Sequence, residues 1–433
     1  MILGVLLNLF PSNTIDSLIF EHFESEGATV AMAIFDLKGD SLIYSHNYNR
    51  RLPPASTLKV ITTFVAQKFF APSTRFYTYL FKTGGNMIVF GGGDPMLDNY
   101  DLEEMADALS SRGVRRIDTL FYDDGFYTKD RYPYGWLWDD IEMTYAPPIS
   151  PLVLNQGIIA LHYKDTVKGN FHYMHIRTID TTETRYEILG DTILVYGDFD
   201  RRRWFAFPQR NPEELFLLSF RNALQRDSIK VGAVGGYRKL PESAYLIYSH
   251  PSPPIDTILR VMNEKSSNFM AEVILRNIGA YAYGEGSWLN GLRMVKHILT
   301  LEGVDTNFLI VDGSGLSRYN MVSPSVFIDV YRAAYRDPGF FRRFTGVLAK
   351  PGKGTLKKRF REYRDILRAK TGSLRGVTSL TGVLDDRYAF VFIAYGFNGK
   401  LSKYRKVQDS LMMTAFDALL EKSLRGSKIK QVP

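Results

Sequence analysis

Residues 28–70 read ATVAMAIFDLKGDSLIYSHNYNRRLPPASTLKVITTFVAQKFF and indicate how this chain of 433 residues begins its fold. Ala28 to Asp36 and Ser41 to Asn47 are typical of two strands, with a Lys-Gly-Asp turn between them. After Pro53-Pro54, apolar side chains recur at helical spacing from Ser56 to Phe70. The stretch therefore predicts a β-hairpin followed at once by a helix.

The C-terminal part of the chain supplies matching elements. Two helices and then three strands and a closing amphipathic helix are predicted there, at Ile255–Ile278, Ser287–Leu301, Ile366–Thr371, Ser379–Leu384, Tyr388–Tyr395 and Tyr404–Leu420. Strands at both ends of the chain, with helices around them, predict one α/β layer built from the two termini.

The middle of the chain, from about residue 75 to 250, has a different pattern. It is rich in aromatic residues, short alternating runs and turn signals, and Gly157 to Phe207 is typical of several short strands, including His172–Ile176 and Tyr186–Tyr196. An inserted region that leans towards β-structure is therefore expected. On a strand, His172 and His175 would point to opposite faces, so we expect no metal site there.

Composition excludes some functions. An apolar content of 45% and an aromatic content of 14% suffice for a large core in two or three domains. The absence of cysteine excludes disulfides, thiolate nucleophiles and cysteine-bound metals. The net charge of +8 is dispersed, as in Arg201–Arg203 and Lys357–Arg359, and comes with no nucleic-acid motif, so no nucleic-acid partner is expected.

Met1 to Phe10 form an apolar run that bears on localisation. The run has the length of a signal-peptide core, but no Lys or Arg precedes it, and it is too short to span a bilayer. It is either the remnant of an incomplete signal sequence or an ordinary first helix. Export is favoured, and peripheral membrane contact stays open.

Three short motifs carry the chemistry: S-x-x-K, S-x-N and K-T-G, which serine acyl-transferases use in this order. Each occurs twice here, at Ser56–Lys59 and Ser427–Lys430, at Ser266–Asn268 and Ser45–Asn47, and at Lys370–Gly372 and Lys82–Gly84. One copy of each, namely Ser56/Lys59, Ser266/Asn268 and Lys370/Thr371/Gly372, follows the required order beside a matching helix or strand. Those copies are the candidate site.

The chemistry of these residues assigns roles to them. A serine hydroxyl needs a base to take its proton. Lys59, one helical turn after Ser56, serves only if it is neutral, and burial and the charge of Lys370 are expected to lower its pKa. Lys370 and Ser266 would carry a proton to the leaving amine, and Asn268 would orient the substrate and Lys59 by hydrogen bonds.

The rest of the site would bind the substrate. The backbone N–H of Ser56 and one from the strand just after Lys370-Thr371-Gly372 would stabilise the oxyanion. The hydroxyls of Thr371 and Ser373 would bind a terminal carboxylate. This chemistry implies no metal and no organic cofactor.

With these motifs, the chain resembles the low-molecular-mass class C penicillin-binding proteins, a D-alanyl-D-alanine carboxypeptidase/endopeptidase family, from about Ala28 to Leu420. Similar segments are Gly91–Pro95, Trp138–Asp140 with Tyr145–Pro148, and Asp312–Arg318. Ser56 and Ser266 lie 210 positions apart, much farther than the corresponding motifs of class A β-lactamases.

The resemblance implies an α/β (α+β) transpeptidase domain of the penicillin-binding and serine β-lactamase type, an antiparallel sheet flanked by helices with two nested inserted domains. The corresponding boundaries are 1–72 with 255–433 for the catalytic domain, 73–156 with 208–254 for the inserted domain, and 157–207 for a small nested β domain. It also implies that Asp140 contacts the amino group of a diaminopimelate side chain, with the adjacent Asp139 as the alternative.

The resulting hypothesis is a periplasmic or otherwise exported serine D-Ala-D-Ala carboxypeptidase. It would act on peptidoglycan stem peptides, have endopeptidase activity on cross-links, and be inhibited covalently by β-lactams at Ser56. The alternatives are a β-lactamase or esterase on the same scaffold, and a catalytically inactive wall-binding protein. The sequence leaves open the balance of the two peptidase activities, the third stem-peptide residue, the deacylation base and the oligomeric state.

Overall fold

The computed structural model describes residues 10–163, 167–199 and 204–429. Its α-helices are α1 (Ser12–His22), α2 (Lys59–Phe69), α3 (Asn99–Ser111), α4 (Trp138–Ile141), α5 (Pro212–Arg226), α6 (Ile255–Lys265), α7 (Asn268–Tyr283), α8 (Trp288–Leu301), α9 (Pro324–Tyr335), α10 (Pro338–Gly346) and α11 (Leu401–Ile429).

The β-strands come in runs between these helices. They are β1 (Thr29–Asp36), β2 (Ser41–His46), β3 (Tyr77–Thr83), β4 (Asn86–Gly91), β5 (Arg116–Asp123), β6 (Ile158–Tyr163), β7 (Val167–Gly169), β8 (His175–Asp180), β9 (Arg185–Leu189), β10 (Thr192–Gly197), β11 (Trp204–Pro208), β12 (Lys230–Tyr237), β13 (Tyr245–Pro251), β14 (Leu367–Leu374), β15 (Val377–Leu384) and β16 (Tyr388–Tyr395).

The chain divides into two compact units. The first unit comprises residues 1–68, 259–266 and 295–433, and the second comprises residues 69–258 and 267–294, as far as these residues are described. The division into catalytic, inserted and nested domains at the boundaries named above stays a prediction.

The first unit is built on a five-stranded sheet in the order β14-β15-β16-β1-β2. Its neighbouring strands are all antiparallel. Apolar residues of α1 and α11 pack on one face in a shared core, and α9 lies on the other face, where Tyr331 Oη and Thr381 Oγ1 are 3.2 Å apart. The predicted antiparallel layer from both termini, flanked by helices, is confirmed.

The segment after the hairpin begins more tightly than predicted. Ala55–Leu58 form one 3₁₀ turn, and the α-helix begins only at Lys59. In a 3₁₀ turn, side chains three residues apart are eclipsed, whereas in an α-helix they are offset. The turn therefore places the side chains of Ser56 and Lys59 on the same side, one above the other.

The second unit contains more helix, and more parallel pairing, than the sequence predicted. Its main sheet, β12-β5-β4-β3-β13, has parallel β12–β5 and β4–β5 pairs. Helices α3 and α5 share its core. The expectation of a mainly β middle is wrong here, because amphipathic segments at Asn99–Ser111 and Pro212–Arg226 cover the apolar sheet.

The described residues between 158 and 208 do form short strands, in two three-stranded sheets, β8-β10-β9 and β11-β6-β7. Two details differ from the prediction. Tyr186–Tyr196 is not one strand but a hairpin that turns at Gly190, whose φ is 60°. His172 precedes β8 and lies in a turn, so the strand argument about His172 and His175 was wrong.

The predicted helix Ile255–Ile278 is interrupted. It ends as α6 at Lys265, and α7 begins at Asn268, with the Ser267 hydroxyl accepting a hydrogen bond from Met270 N as its N-cap. Between them Ser266 has φ 56°, a left-handed conformation that is uncommon outside glycine. The chain crosses from one compact unit to the other at this break.

Three sequence features lie outside the described residues: Met1–Leu9 of the apolar run, Arg201–Arg203, and Lys430 of the second S-x-x-K copy. Among the helices that are described, none combines the length and the apolarity that crossing a bilayer requires.

Candidate active site

Ser56 is the one accessible side chain in a buried segment. Every residue from 52 to 67 is buried except Ser56, which is half-buried. The preceding Ala55 has φ 49°, so the chain turns through a left-handed residue immediately before the serine. Such strained turns persist where the surroundings enforce them, and they often present a reactive group. The local structure thus presents one hydroxyl from an otherwise closed core.

Lys59 lies beside this hydroxyl. Its Nζ is 3.0 Å from Ser56 Oγ and 2.7 Å from the carbonyl oxygen of Ser314, and the residue has no exposed surface. A buried amine is stable only with hydrogen-bond partners, and these contacts orient it. The predicted pairing of Ser56 with Lys59 is present in the structure.

The loop that supplies Ser314 is organised by a buried carboxylate. Asp312 has no exposed surface and accepts hydrogen bonds from Gly315 N (2.8 Å), Ser317 N (2.7 Å) and Asn320 Nδ2 (2.8 Å). Gly315 has φ 81°, and a Cβ there would overlap the carbonyl oxygen of Ala55. The loop is therefore held against the turn that carries Ser56.

Lys370 and Ser266 form the second polar pair of the first unit. Lys370 Nζ is 2.8 Å from Ser266 Oγ and donates to the carbonyl oxygen of Thr371 at 2.8 Å. Lys370 has no exposed surface. Burial, and after it the nearby charge of Lys59, hold the pKa of Lys370 well below the usual value for lysine. The two amines are thus coupled electrostatically, as two lysines of one site would be.

Gly372 allows the strand to approach the serine. A Cβ at Gly372 would overlap Ser379 Oγ and would lie 2.9 Å from both Pro54 O and Ser56 N. Ser379 Oγ donates to Pro54 O at 2.7 Å, which ties β15 to the same turn. Only glycine lets β14 run this close to the Ser56 backbone.

Thr371 and Ser373 occupy the other face of β14. Thr371 is buried and Ser373 is half-buried. Ser373 Oγ accepts a hydrogen bond from Nη2 of Arg405, on α11, at 3.1 Å. The sequence did not indicate Arg405, because it lies 32 residues beyond Ser373, on a helix, with no motif around it.

Asn268 and Asp140 belong to the second unit, where both contact Tyr145. Asn268 Nδ2 donates to the Tyr145 carbonyl oxygen at 2.9 Å, and Tyr145 Oη donates to Asp140 Oδ1 at 2.8 Å. Asp140 Oδ2 also accepts from Leu137 N at 3.2 Å, at the start of α4. The carboxylate of Asp140 thus caps a short helix, whereas Asp139 is exposed.

A separate cluster in the second unit has the residue types of a metal site. Asp101, Glu104 and His250 place one ligand atom each within 4.8 Å of one another. The carboxylate of Asp101 is already engaged, since it accepts from Asp98 N at 2.7 Å and lies 3.0 Å from His250 Nε2. These contacts describe a helix cap and an ion pair.

Comparisons with known proteins show the family of the chain. The model of the D-Ala-D-Ala carboxypeptidase 3 (S13) family matches residues 12–416. A D-alanyl-D-alanine carboxypeptidase from Actinomadura sp. (strain R39) is 25% identical, over 96% of this chain and 86% of the relative. The resemblance inferred from the motifs is confirmed.

Solved structures confirm the fold class. Penicillin binding protein 4 from Haemophilus influenzae superimposes with a TM-score of 0.78 at 23% identity, covering 95% of this chain and 99% of that one. The same protein has been solved in complex with a β-lactam. A predatory peptidoglycan endopeptidase from Bdellovibrio bacteriovorus superimposes with a TM-score of 0.54 at 16% identity, covering 88% of this chain and 91% of that one.

Proposed function

Since the chain belongs to the D-Ala-D-Ala carboxypeptidase 3 (S13) family and is a serine peptidase, we propose that it cleaves D-alanyl-D-alanine bonds through an acyl-enzyme on Ser56. One observation carries the proposal. Two buried lysines each contact a serine hydroxyl, Lys59 that of Ser56 at 3.0 Å and Lys370 that of Ser266 at 2.8 Å.

The first step is attack by Ser56. Neutral Lys59 takes the proton of the hydroxyl, and Oγ forms a bond to the carbonyl carbon of the scissile peptide. Mutual repulsion between the amines favours a single proton on the pair, which leaves Lys59 free to act as the base when Lys370 carries that proton. The oxyanion is stabilised by the Ser56 N–H and by a backbone N–H of β14 just after Gly372.

The second step is departure of the amine. As the C–N bond breaks, the Ser266 hydroxyl gives its proton to the leaving nitrogen and is reprotonated by Lys370. Ser266 suits this relay because the break between α6 and α7 points its hydroxyl to Lys370 rather than into helix backbone. Asn268 orients the substrate.

Hydrolysis closes the cycle. Water forms a bond to the acyl carbon, the C–Oγ bond breaks, and Oγ regains the proton that Lys59 holds. The proton lost by water restores Lys370, so the net reaction consumes one peptide bond and one water.

The substrate follows from the family. We infer that the natural substrates are peptidoglycan stem peptides, with endopeptidase activity on their cross-links, and that Asp140 contacts the side-chain amine of the third residue. A substrate of the cell wall implies a location in the cell envelope outside the cytoplasm. Recovery of the native protein in the periplasmic fraction would support this location, and recovery in the cytosol would contradict it.

Covalent labelling tests the nucleophile. Purified protein is treated with fluorescent penicillin, and the labelled peptide is mapped by mass spectrometry. We expect one adduct, on Ser56, that is lost in Ser56→Ala. Labelling at another residue, or none, would contradict the proposal.

The duplicated motifs provide matched controls. Ser45→Ala and Lys82→Gln alter the second S-x-N and K-T-G copies, and we expect both variants to label like the wild type. Ser266→Ala and Lys370→Gln should label at least ~100-fold more slowly. Rapid release of the penicilloyl group would instead favour the β-lactamase alternative, because a carboxypeptidase would hold a long-lived adduct.

A further inference from the structure

The guanidinium of Arg405 lies next to the motif strand without a carboxylate partner. It is half-buried, and Nη2 donates to Ser373 Oγ at 3.1 Å. Within the described part of the chain, no carboxylate oxygen lies within ion-pair distance of it. Asp409, one helical turn along α11, is engaged by Arg359, whose Nε is 3.0 Å from both of its oxygens.

This arrangement leaves a cation that needs an anion. Burial, and after it the charge of Arg359, lower the pKa of Arg405 from its ordinary value. The charge of Asp409 offsets only part of this decrease, and a partly desolvated cation without a bound counter-ion is costly. Arg405 is therefore suited to an anion that arrives with a ligand.

The position of Ser373 indicates where that anion would lie. β14 is the edge strand of its sheet, so an extended peptide can pair with its outer edge beside Ser56. Thr371 and Ser373 are two residues apart and share one face of the strand. A peptide along the edge would bring a group near its scissile bond within reach of both hydroxyls.

We propose that Arg405, together with the hydroxyls of Thr371 and Ser373, binds a carboxylate of the substrate. This is the α-carboxylate of the residue whose nitrogen belongs to the scissile amide. This inference rests on the proposed function and adds a specificity-determining residue to it. A guanidinium presents two parallel N–H donors that match both oxygens of a carboxylate, and it adds a positive charge that hydroxyls lack. The anionic end of the substrate would thereby set the register of the peptide relative to Ser56.

A pair of substrates tests the role. One is an acyl-D-alanyl-D-alanine peptide with a free terminal carboxylate, and the other is the same peptide with a terminal carboxamide. We expect Arg405→Gln to lower kcat/KM for the carboxylate peptide by ~10- to 100-fold and for the carboxamide by less than about twofold. Arg405→Lys keeps the positive charge but loses the paired N–H donors. Its kcat/KM for the carboxylate peptide should therefore lie between those of the wild type and Arg405→Gln.

The neighbouring Lys406 supplies the matched control. Lys406 is exposed on the same helix, so Lys406→Gln makes the same change of charge without touching Ser373. Lys406→Gln should leave kcat/KM unchanged for both substrates. Equal losses of kcat/KM for the two substrates in Arg405→Gln would show a structural role and overturn the proposal. A wild-type enzyme that does not discriminate between the substrates would overturn it as well.

Two covalent probes separate this proposal from the function on which it rests. Penicillin carries a carboxylate, whereas a fluorophosphonate that reacts with activated serines does not. Arg405→Gln should label more slowly with penicillin and normally with the fluorophosphonate. Unchanged labelling by both probes would overturn the role of Arg405 alone, and failure of both probes to label wild-type Ser56 would overturn the proposed function itself.

Discussion

The carbonyl oxygen of Ser314 accepts a hydrogen bond from Lys59 Nζ over 2.7 Å, although 255 residues separate the two in the chain. The same amine is 3.0 Å from Ser56 Oγ. The position of the proposed base therefore depends on a loop that carries none of the three motifs. The stability of that loop should be measurable in the activity of the enzyme.

Removing the carboxylate of Asp312 should disorganise this loop. Asp312→Ala leaves the N–H groups of Gly315 and Ser317 without their buried acceptor, so we expect the free energy of unfolding to fall by about 3 kcal/mol. Acylation by penicillin should slow as Lys59 loses its support. Denaturant unfolding and stopped-flow labelling measure the two effects.

An exposed aspartate provides the comparison. Asp305 accepts a hydrogen bond from Asn307 N in a surface turn. Asp305→Ala should lower the free energy of unfolding by less than ~1 kcal/mol. If both variants were equally stable, the loop would not depend on Asp312.

Gly372→Ala should impair catalysis through the backbone alone. The added methyl would meet Ser379 Oγ, Pro54 O and Ser56 N, so β14 has to move away from Ser56. We expect a loss of about 1–3 kcal/mol in stability and of ~100-fold in kcat/KM. Gly346 has open space around its Cα, so Gly346→Ala is the control. Full activity of Gly372→Ala would mean that β14 does not position the site.

Lys370→Met should lower the activity of the enzyme without lowering its stability at pH 7. Because burial and Lys59 lower the pKa of Lys370, the unfolded chain binds its proton more readily than the folded one does. The contribution of Lys370 to wild-type stability therefore rises with pH towards the ordinary pKa of lysine, about 10.4. The methionine variant should be at least as stable as the wild type at pH 7, with an advantage that shrinks as the pH rises, and ~100-fold less active.

Thermal unfolding across pH 6–10 and steady-state kinetics test this prediction. Lys82→Gln, in the second K-T-G copy, should follow the wild-type curve at every pH. A variant that is less stable than the wild type at neutral pH, by a margin independent of pH, would show that the ammonium stabilises the fold.

The contributions of Asp94 and His250 to the stability of the second unit should fall as the pH rises. Burial raises the pKa of Asp94 to about 7. Burial lowers the pKa of His250, but the hydrogen bond and charge of Asp101, with the charges of Asp94 and Glu104, outweigh it and raise the pKa overall. Both groups hold their protons more tightly when folded, so stability declines from about pH 4 to 7 for Asp94, and above ~6.5 for His250.

Thermal unfolding between pH 4 and 9 measures the decline. Asp94→Asn should reduce the pH dependence of Tm at the acidic end of this range, and His250→Gln should reduce it at the alkaline end. His175, which is exposed, serves as the control in His175→Gln. If Tm varied with pH in Asp94→Asn and His250→Gln as it does in the wild type, the prediction would be contradicted.

Much of the first unit could be predicted from local pattern. The hairpin of Ala28 to Asn47 and the strands near Ser379–Leu384 and Tyr388–Tyr395 have strong alternation or continuous apolar runs, and the structure confirms them. Helices α3 and α5 of the second unit were missed because the strand and turn signals around them dominate the pattern of the middle of the chain. The break at Ser266 was missed because a single left-handed serine leaves apolar periodicity intact on both sides.

The order of the three motifs, the family and the residues of the Ser56–Lys59 turn could be inferred without a structure, because adjacent residues and their spacing are local properties. Tertiary structure decided the rest. It brought Lys370 to Ser266 and Ser314 to Lys59, it required glycine where β14 passes Ser56, and it placed Arg405 of α11 beside Ser373. Contacts between distant segments depend on how the sheet and helices pack, and no short stretch of sequence encodes that packing.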